Sequence, residues 1–311
     1  MNWEKKGLIF NVKGEYDWNK SHAQCPVVDV IDENIWRIYY STRNKLGQSQ
    51  ISYVEVEAGN PNNIKYVHND YLFDFGKPGT FDDSGLMPSC IVNYNGLKYM
   101  YYVGWTPKKS VSYQNSIGIA ISYDNGKTFK RAFEGSILPP LPNEPYFTGT
   151  SYVIIENDLW RMYYLSCTGW NELNGNLEPR YHIKYAESKD GITWERKGLV
   201  AIGYKDETEG GIVSASVVKT YEGYKMWYAY RSLFNYRDRI ENSYRIGYGT
   251  SSNGVNWKRK DDLVGIGLSP EGWDSEMISY PNVIQHNSNF YMFYNGNGFG
   301  KTGFGYAILL N

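Results

Sequence analysis

The sequence predicts an all-β fold, and more specifically a five-bladed β-propeller formed by one domain over residues 1–311. Three observations lead to this prediction. A strand motif recurs five times at an almost constant spacing, which is typical of architectures that stack copies of one small sheet. A turn motif recurs three times within the same period. Finally, the N-terminal segment echoes a strand from the middle of the chain.

The template for the repeat runs from residue 149 to residue 200. Residues 150–156, 159–166, 181–187 and 194–200 are rich in β-branched and aromatic residues, and Asn, Asp and Gly separate them. This pattern predicts four short antiparallel strands. The second strand contains WRMYY, whose relatives are WRIYY, KYMYY, YKMWY and FYMFY. Their last residues, Tyr40, Tyr102, Tyr164, Tyr228 and Tyr294, lie 62, 62, 64 and 66 residues apart.

The turn between the third and fourth strands of the template also recurs. Its copies begin at Ser122, Ser188 and Ser251, and each continues through Asp or Asn to Gly and then to an aromatic residue. Serine and Asp/Asn side chains can bond to nearby backbone amides, and glycine accepts a positive φ. We therefore interpret these residues as folding devices rather than as catalytic groups.

The fifth repeat lacks a fourth strand at the C-terminal end of the chain. Residues 3–9 (WEKKGLI) match residues 194–200 (WERKGLV), which form the fourth strand of the template. We expect the N-terminal segment to supply the outer strand of the last sheet and so to close the ring, because closure protects strand edges. An open β array or a large sandwich does not account for this echo.

Composition excludes several classes of partner. The formal net charge is −1 without a basic run, so nucleic acid is not an expected partner. The start of the chain lacks the apolar core of a signal peptide, and no apolar run approaches the length of a membrane helix. These features favour a cytoplasmic protein. Cys25, Cys90 and Cys167 are odd in number and lack zinc-ligand spacing. We expect buried free thiols, no metal site and no cofactor.

The segments that lead into the first strand of each repeat should meet at one mouth of a propeller. Each segment carries a carboxylate, and four of the five carry an aromatic residue. Aromatic rings stack on the apolar faces of sugars, and carboxylates bind their hydroxyls, so the sequence predicts a polar sugar pocket. Solvated loop acids are the alternative. The predicted substrate-binding residues are Trp18, His22, Asp82, Glu144, Tyr146, Arg231, Trp273, Asp274 and Glu276.

One segment resembles a known family. Glu209-Gly210-Gly211 precedes a strand, Gly223 and the YKMWY motif. This arrangement is similar to the Glu-Gly-Pro pattern of family 43 of the glycoside hydrolases. The whole architecture resembles the five-bladed propeller glycosidases of families 43, 62, 32, 68, 117 and 130. The resemblance implies that Glu209 is the general acid. Asp17 and Asp83 lie nearest the places where those families carry aspartates, and Asp82 is the rival of Asp83.

The active-site motifs of these families are not complete in this chain. The Arg-Asp-Pro of family 43 is replaced by Asp82-Asp83-Ser84, and the Asn-Asp-Pro-Asn-Gly of family 32 is absent. Residues 18–24, 79–85 and 294–300 also resemble propeller proteins encoded in bacterial surface-polysaccharide gene clusters. That second resemblance implies a process rather than a reaction.

Three functions are therefore compatible with the sequence. The first is a glycosidase that acts on a surface-glycan oligosaccharide or an activated sugar such as a nucleotide sugar, with Glu209 as proton donor, Asp83 as base or nucleophile and Asp17 as a third acid. The second is a glycoside phosphorylase, which would need clustered cations. Candidate cations are Arg180, His182, Arg231 and Lys301. The third is a non-catalytic module that binds or assembles glycans, because a propeller by itself does not determine function.

Overall fold

The computed structural model describes residues 1–173 and 175–310 and confirms the all-β prediction. Within these residues the helical elements are two short 3-10 turns, at Ile240–Asn242 and Asp261–Leu263, and a single turn at Asn297–Gly300 in which Gly298 and Phe299 adopt a positive φ. None of the described helices has the length and hydropathy needed to cross a bilayer. Cys25, Cys90 and Cys167 are free and buried, as predicted.

The strands group into units of four, and neighbours within a unit pair antiparallel. The N-terminal strand is β1 (Trp3–Phe10). The first unit contains β2 (Ser21–Val30), β3 (Ile35–Arg43), β4 (Ser49–Glu57) and β5 (Asn60–Val67). The second contains β6 (Gly85–Tyr94), β7 (Leu97–Pro107), β8 (Tyr113–Ser122) and β9 (Lys130–Arg131).

The third unit contains β10 (Thr148–Glu156), β11 (Leu159–Leu173), β12 (Asn176–Ser188) and β13 (Val200–Ile202). The fourth contains β14 (Glu209–Thr220), β15 (Gly223–Ser232), β16 (Arg245–Ser251) and β17 (Lys258–Arg259). The fifth contains β18 (Ser279–His286), β19 (Asn289–Asn295) and β20 (Phe304–Leu309).

The N-terminal strand completes the fifth unit. β1 pairs antiparallel with β20, and Trp3 lies opposite Leu309. Trp3 is buried and packs edge-on against Trp227 of the fourth unit, with ring centroids 5.8 Å apart. The N-terminal segment therefore supplies the outer strand of the last sheet, as its resemblance to the fourth strand of the template predicts.

The first strands of the five units lie together at the centre. Each of β2, β6, β10 and β14 contacts the first strand of the next unit, and β18 contacts β2. All five have a β-bulge near their start, shown by a shift of register against the second strand. Cys25, Ser214 and Tyr280 adopt a positive φ at these bulges. A bulge bends the strand and redirects side chains, so these positions face the centre of the molecule.

The first tyrosine of each repeated Tyr-Tyr pair joins one unit to the next. The hydroxyl of Tyr101 donates to the carbonyl of Gly191, 2.7 Å away, in the turn of the third unit. The same turn is held by Ser188, whose Oγ accepts from the amide of Gly191, and by Asp190, which accepts from two following amides. This confirms the structural interpretation of the turn motif. The other such pairs are Tyr39 with Gly126 and Tyr163 with Gly254.

Where the next unit lacks this turn, the tyrosine is replaced by a residue without a hydroxyl. Trp227 of the fourth unit faces Trp3 of the fifth, whose outer strand is β1. Phe293 of the fifth unit packs against Trp36 of the first, with ring centroids 6.0 Å apart. For Phe293 the replacement has a physical reason, because a buried hydroxyl without an acceptor is costly. Trp227 instead packs against Trp3, and its own Nε1 has no hydrogen-bond partner among the described residues.

Candidate functional site

A cavity of about 370 Å³ lies at the N-terminal ends of the first strands. All five units contribute to its wall, and its volume falls in the range of small-molecule sites. The first strands contribute Gln24, Met87, Thr150, Val213 and Tyr280. The sequence predicted a pocket at this end of the strands, and the bulges direct these side chains into it.

Aromatic side chains dominate the wall. Tyr113 and Phe147 pack with ring centroids 5.4 Å apart, and Tyr244 lies 6.0 Å from Tyr280. The hydroxyls of Tyr181 and Tyr244 hydrogen bond to each other. Burial raises the pKa of Tyr113, Tyr244 and Tyr280 well above the usual value for tyrosine. The phenols are therefore neutral at physiological pH, and they can donate as well as accept hydrogen bonds.

Two arginines also line the cavity, and they differ in their partners. Arg237 Nη1 donates to both carboxylate oxygens of Glu178, at 2.8 and 2.9 Å. The side chain of Arg43 makes one hydrogen bond within residues 1–173 and 175–310, from Nε to Gln24 Oε1 at 3.2 Å. Arg43 forms no ion pair with a carboxylate in the part of the chain that the structure describes.

Among the residues that the structure describes, none that lines the cavity carries a carboxylate. On the five first strands, the positions that reach the cavity carry an amide, a thiol, a thioether, a hydroxyl, an aliphatic group and a phenol. Glycosidic hydrolysis by general acid/base chemistry requires two carboxyl groups on opposite sides of the scissile bond. The wall of this cavity does not supply them.

The structure places the buried predicted acids in ion-paired clusters within their own units instead of in the cavity. Asp82 Oδ2 accepts from the hydroxyl of Tyr102 at 2.8 Å and from Nε of Arg131 at 2.8 Å. Asp274 Oδ2 accepts in the same way from Tyr294 at 2.9 Å and from Lys5 at 2.7 Å. In each case the acid joins the start of the first strand to the second and outer strands. We call such a set an acid–tyrosine–cation cluster.

Glu144 forms the corresponding cluster of the third unit. Its carboxylate accepts from Tyr164, Ser166, Lys184 and Arg196, at distances between 2.6 and 3.2 Å. Burial by itself raises the pKa of Glu144, but the hydrogen bonds from Ser166 and Lys184 and the two positive charges outweigh burial and lower it. Glu144 is therefore an ionised structural anion.

Glu209, the expected general acid, is held by an arginine in the fourth unit. Its two oxygens accept from Nη1 and Nη2 of Arg259, at 2.6 and 2.9 Å, and one also accepts from the amide of Lys205 at 2.8 Å. Arg259 also pairs with Asp261, which takes the hydrogen bond of Tyr228 in this unit. Both carboxylate oxygens of Glu209 are therefore engaged by Arg259, and Glu209 does not line the cavity.

The glycines after Glu209 accommodate protein rather than substrate. A Cβ atom on Gly211 would lie 2.7 Å from the ring of Tyr181 and 2.9 Å from Nε of Arg231. One on Gly210 would collide with the backbone of Leu233. These glycines let Arg231 and the wall residue Tyr181 pack closely against β14.

The remaining predicted acids lie in loops. Asp17 is almost fully exposed and pairs with Lys20, and Glu276 is exposed. Asp83 caps its own loop by accepting from the amide of Gly79 and the hydroxyl of Ser84, at 2.9 and 2.8 Å. Burial opposes ionisation of Asp83, but these hydrogen bonds lower its pKa overall. None of these acids lines the cavity.

The predicted aromatic residues are also outside the cavity wall. Trp18 stacks on Tyr16, with ring centroids 6.0 Å apart, and Tyr146 is exposed. Trp273 stacks on Tyr294 at 5.1 Å and so belongs to the cluster of the fifth unit. The loop that contains Trp18 therefore offers a partly exposed aromatic pair at a different place from the cavity.

Among the predicted substrate-binding residues, Arg231 and His22 adjoin residues of the cavity wall. Arg231 is 1% exposed and supports the wall from behind, because Nε donates to the Tyr181 hydroxyl at 3.2 Å and its guanidinium lies 3.7 Å from the ring centre of Tyr236. Burial, together with the charges of Arg43 and Lys301, lowers the pKa of His22 to about 4. His22 is therefore neutral and adjoins two positive charges.

Arg180 and His182 lie beside Tyr204 instead. Arg180 pairs with Glu207, and its guanidinium is 4.1 Å from the ring centre of Tyr204. His182 stacks on the same ring, and burial lowers its pKa to about 4. Neither residue lines the cavity, so the four candidate cations do not form one cluster there.

Sequence reasoning missed the residues that build the wall. Arg43 lies at the end of β3, Trp105 near the end of β7, and Tyr236 and Tyr244 in the connection between β15 and β16. They share no motif. The one available signal was the placement of the first strands, since a side chain near the start of each strand must face the channel.

The chain is similar to two proteins of Mycobacterium tuberculosis. These are "Uncharacterized protein MT1551" of strain CDC 1551 / Oshkosh and "Uncharacterized protein Rv1502" of strain ATCC 25618 / H37Rv. Identity is 35% over 311 residues in both cases and covers 100% of each chain. The chain belongs to the same family as these proteins. No family model matches it.

Several solved structures with the same fold are described as glycoside hydrolases. One described as "Glycoside hydrolase" has a TM-score of 0.72 at 18% identity, covering 98% of this chain and 91% of its own. A structure from work on glycoside hydrolases in the GH130 family of mannoside phosphorylases has a TM-score of 0.70 at 14% identity, covering 99% and 93%. A thermostable family-43 glycoside hydrolase reaches 0.64 at 16% identity, covering 94% and 90%. The resemblance to propeller glycosidases is therefore confirmed for the fold.

Proposed function

We propose that this protein binds a carbohydrate in the cavity at the N-terminal ends of the first strands. The observation that carries the proposal is an aromatic-lined cavity, shared by all five units of a glycosidase fold, without a carboxylate on its wall. Trp105, which is partly exposed, offers a flat apolar surface of the kind that stacks on the C–H face of a pyranose. Gln24, Asn115 and the neutral tyrosines offer hydrogen bonds to hydroxyls.

A glycosidase that uses Glu209, Asp83 and Asp17 is less well supported. Glu209 is engaged by Arg259, and the loop acids Asp83 and Asp17 do not reach the cavity. Hydrolysis is the second candidate because of the glycoside hydrolases that share the fold. It would need a carboxyl group from the rim. Glu178, which contacts the wall residues Tyr236 and Arg237, is a candidate.

We also propose that the five units are the blades of one propeller domain over residues 1–311, with β1 closing the ring. Contacts between the first strands follow the cyclic order of the units and return from β18 to β2. The residues between units support the same order, because hydroxyl-bearing Tyr39, Tyr101 and Tyr163 face the units that have the turn. The role in a bacterial surface-glycan process stays a prediction.

The test of carbohydrate binding is calorimetric titration of the full chain with neutral and acidic mono- and oligosaccharides and with nucleotide sugars. Trp105→Ala should weaken any such binding about tenfold, because it removes a stacking surface from the wall. Trp18→Ala is the matched control, since Trp18 is also a partly buried tryptophan but lies outside the cavity. Loss of binding in Trp18→Ala alone would move the site to the loop of Asp17 and Trp18. Release of an aglycone from aryl glycosides by the parent protein would favour hydrolysis.

A further inference from the structure

We infer that the ligand of this cavity carries a negatively charged group, a carboxylate or a phosphate, that is received by Arg43. The inference rests on the proposed function and deepens it by naming the class of ligand: a uronic acid or a phosphorylated sugar. The site would thus distinguish acidic from neutral saccharides by one charged contact at the cavity wall.

Arg43 has unused donors that face the cavity. It is half-buried and lines the cavity at the end of β3. Within the described residues its side chain makes one hydrogen bond, from Nε to the neutral side chain of Gln24. Its two Nη groups are therefore available. A guanidinium presents these donors as a planar fork that matches a carboxylate or phosphate. Burial disfavours the charged form of Arg43 and lowers its pKa, which indicates a charge that lacks compensation.

The other charges around the cavity are also predominantly positive. Arg231 is buried behind the wall, and its partners are the Tyr181 hydroxyl, three backbone carbonyls and aromatic rings instead of a carboxylate. Lys301 is exposed on the side of Arg43, and both residues act on His22. In the described structure one carboxylate pairs with these four cations, and it is Glu178, which pairs with Arg237. The four cations are Arg43, Arg231, Arg237 and Lys301.

Several other buried or half-buried cations have their donors occupied. Arg131 and Arg196 pair with Asp82 and Glu144, and Arg245, which has no carboxylate partner among the described residues, donates to four backbone carbonyls instead. Removing a cation from water without a counterion is costly, so a cavity that keeps such cations is suited to a ligand that brings the anion. A neutral sugar would leave the Nη groups of Arg43 without that compensation.

The inference is tested by calorimetric titration of the full chain with matched pairs of ligands. Gluco-, galacto- and manno-configured sugars are each supplied as the neutral methyl glycoside, the uronic acid and the 6-phosphate, together with inorganic phosphate alone. We expect at least one acidic member to bind at least about tenfold more tightly than its neutral partner. The uronic acids and the 6-phosphates distinguish the two sources of the charge.

Arg43→Gln should remove that advantage, weakening the acidic ligand by about tenfold to a hundredfold and the neutral one much less. Arg239→Gln is the matched control. It removes the same charge from an exposed arginine that pairs with Glu241 outside the cavity, and it should bind like the parent. If Arg43→Gln does not fold, the same charge is tested by Arg43→Lys, which keeps the charge but not the planar fork, and by the salt dependence of binding to the parent protein. Added salt should weaken only the acidic ligands, because it screens the charge.

The outcomes separate the two proposals. Equal affinity for acidic and neutral members, unchanged in Arg43→Gln, would overturn the inference and leave carbohydrate binding intact. Binding of phosphate that is lost in Arg43→Gln, without binding of any saccharide, would support the anion site and contradict carbohydrate binding. Absence of binding by every member of the set would overturn both.

Discussion

Replacing Glu209 with glutamine distinguishes a structural carboxylate from a general acid. In the structure the side chain is buried and joins the start of β14 to Arg259 on the outer strand β17 by two charge-assisted hydrogen bonds. Glutamine has nearly the same shape but lacks the charge, and its amide NH₂ would face a guanidinium donor. The substitution should therefore destabilise the fold itself.

The size of the effect follows from the bonds that are lost. Arg259 keeps its ion pair with Asp261, so it does not become an isolated buried charge. We therefore expect a loss of about 2–4 kcal/mol, at or below the usual cost of breaking a buried pair. Unfolding entropy is about 2.1 cal/mol/K per residue, so 311 residues correspond to about 0.65 kcal/mol/K and Tm should fall by about 3–6 °C.

The assay is calorimetric or fluorescence-monitored thermal unfolding of the parent chain and the variant. Glu207→Gln is the matched control, because Glu207 lies two residues away and also pairs with an arginine, Arg180, but is almost fully exposed. Exposed ion pairs contribute little, so this control should shift Tm by less than about 1.5 °C. An unchanged Tm in Glu209→Gln, combined with loss of a saccharide-cleaving activity, would refute the structural role and restore the general acid.

Three further predictions concern other parts of the fold. Deleting residues 1–10 should lower Tm by far more than trimming an ordinary terminus, because it removes β1 from the fifth unit; an unchanged Tm would contradict the pairing of β1 with β20. Tyr164→Phe should destabilise more than Tyr163→Phe in denaturant titrations, since only Tyr164 donates to a carboxylate; the reverse order would contradict this assignment. Stability should fall as the pH falls from 6.5 towards about 5, because the folded pKa of His22 and of His182 is about 4 and the unfolded chain binds more protons in that window. Asn at both histidine positions should flatten this pH dependence, and an unaltered slope in urea midpoints would exclude these groups as its cause.

The sequence by itself determined the strands, the turns and the pairing of the N-terminal strand. These features depend on local chemistry repeated along the chain, such as Ser188 and Asp190 closing a turn around Gly191. They also depend on the strand period, because the two tyrosines of a Tyr-Tyr pair point to opposite faces of the sheet. Trp227 replaces the tyrosine where the next unit lacks the turn, so a contact between units is also visible in the repeated sequence motif.

The tertiary structure decided what the carboxylates do. A carboxylate before a first strand is compatible both with a pocket and with an ion pair, and the choice depends on cations far away in the sequence. Arg131 lies 49 residues after Asp82, Arg259 lies 50 after Glu209, and Lys5 lies 269 before Asp274. The outer strands bring these cations to the acids, and no local pattern encodes that distance.

The cavity wall was likewise decided only by the tertiary structure. Its residues come from strand ends and connections of all five units, and the bulges of the first strands determine which side chains turn inward. A bulge shifts the alternation of side chains by one position, so the strand period alone cannot tell which residue faces the channel. For this reason Arg43 and the wall tyrosines emerge from the structure, whereas the strands that carry them are evident from the repeat.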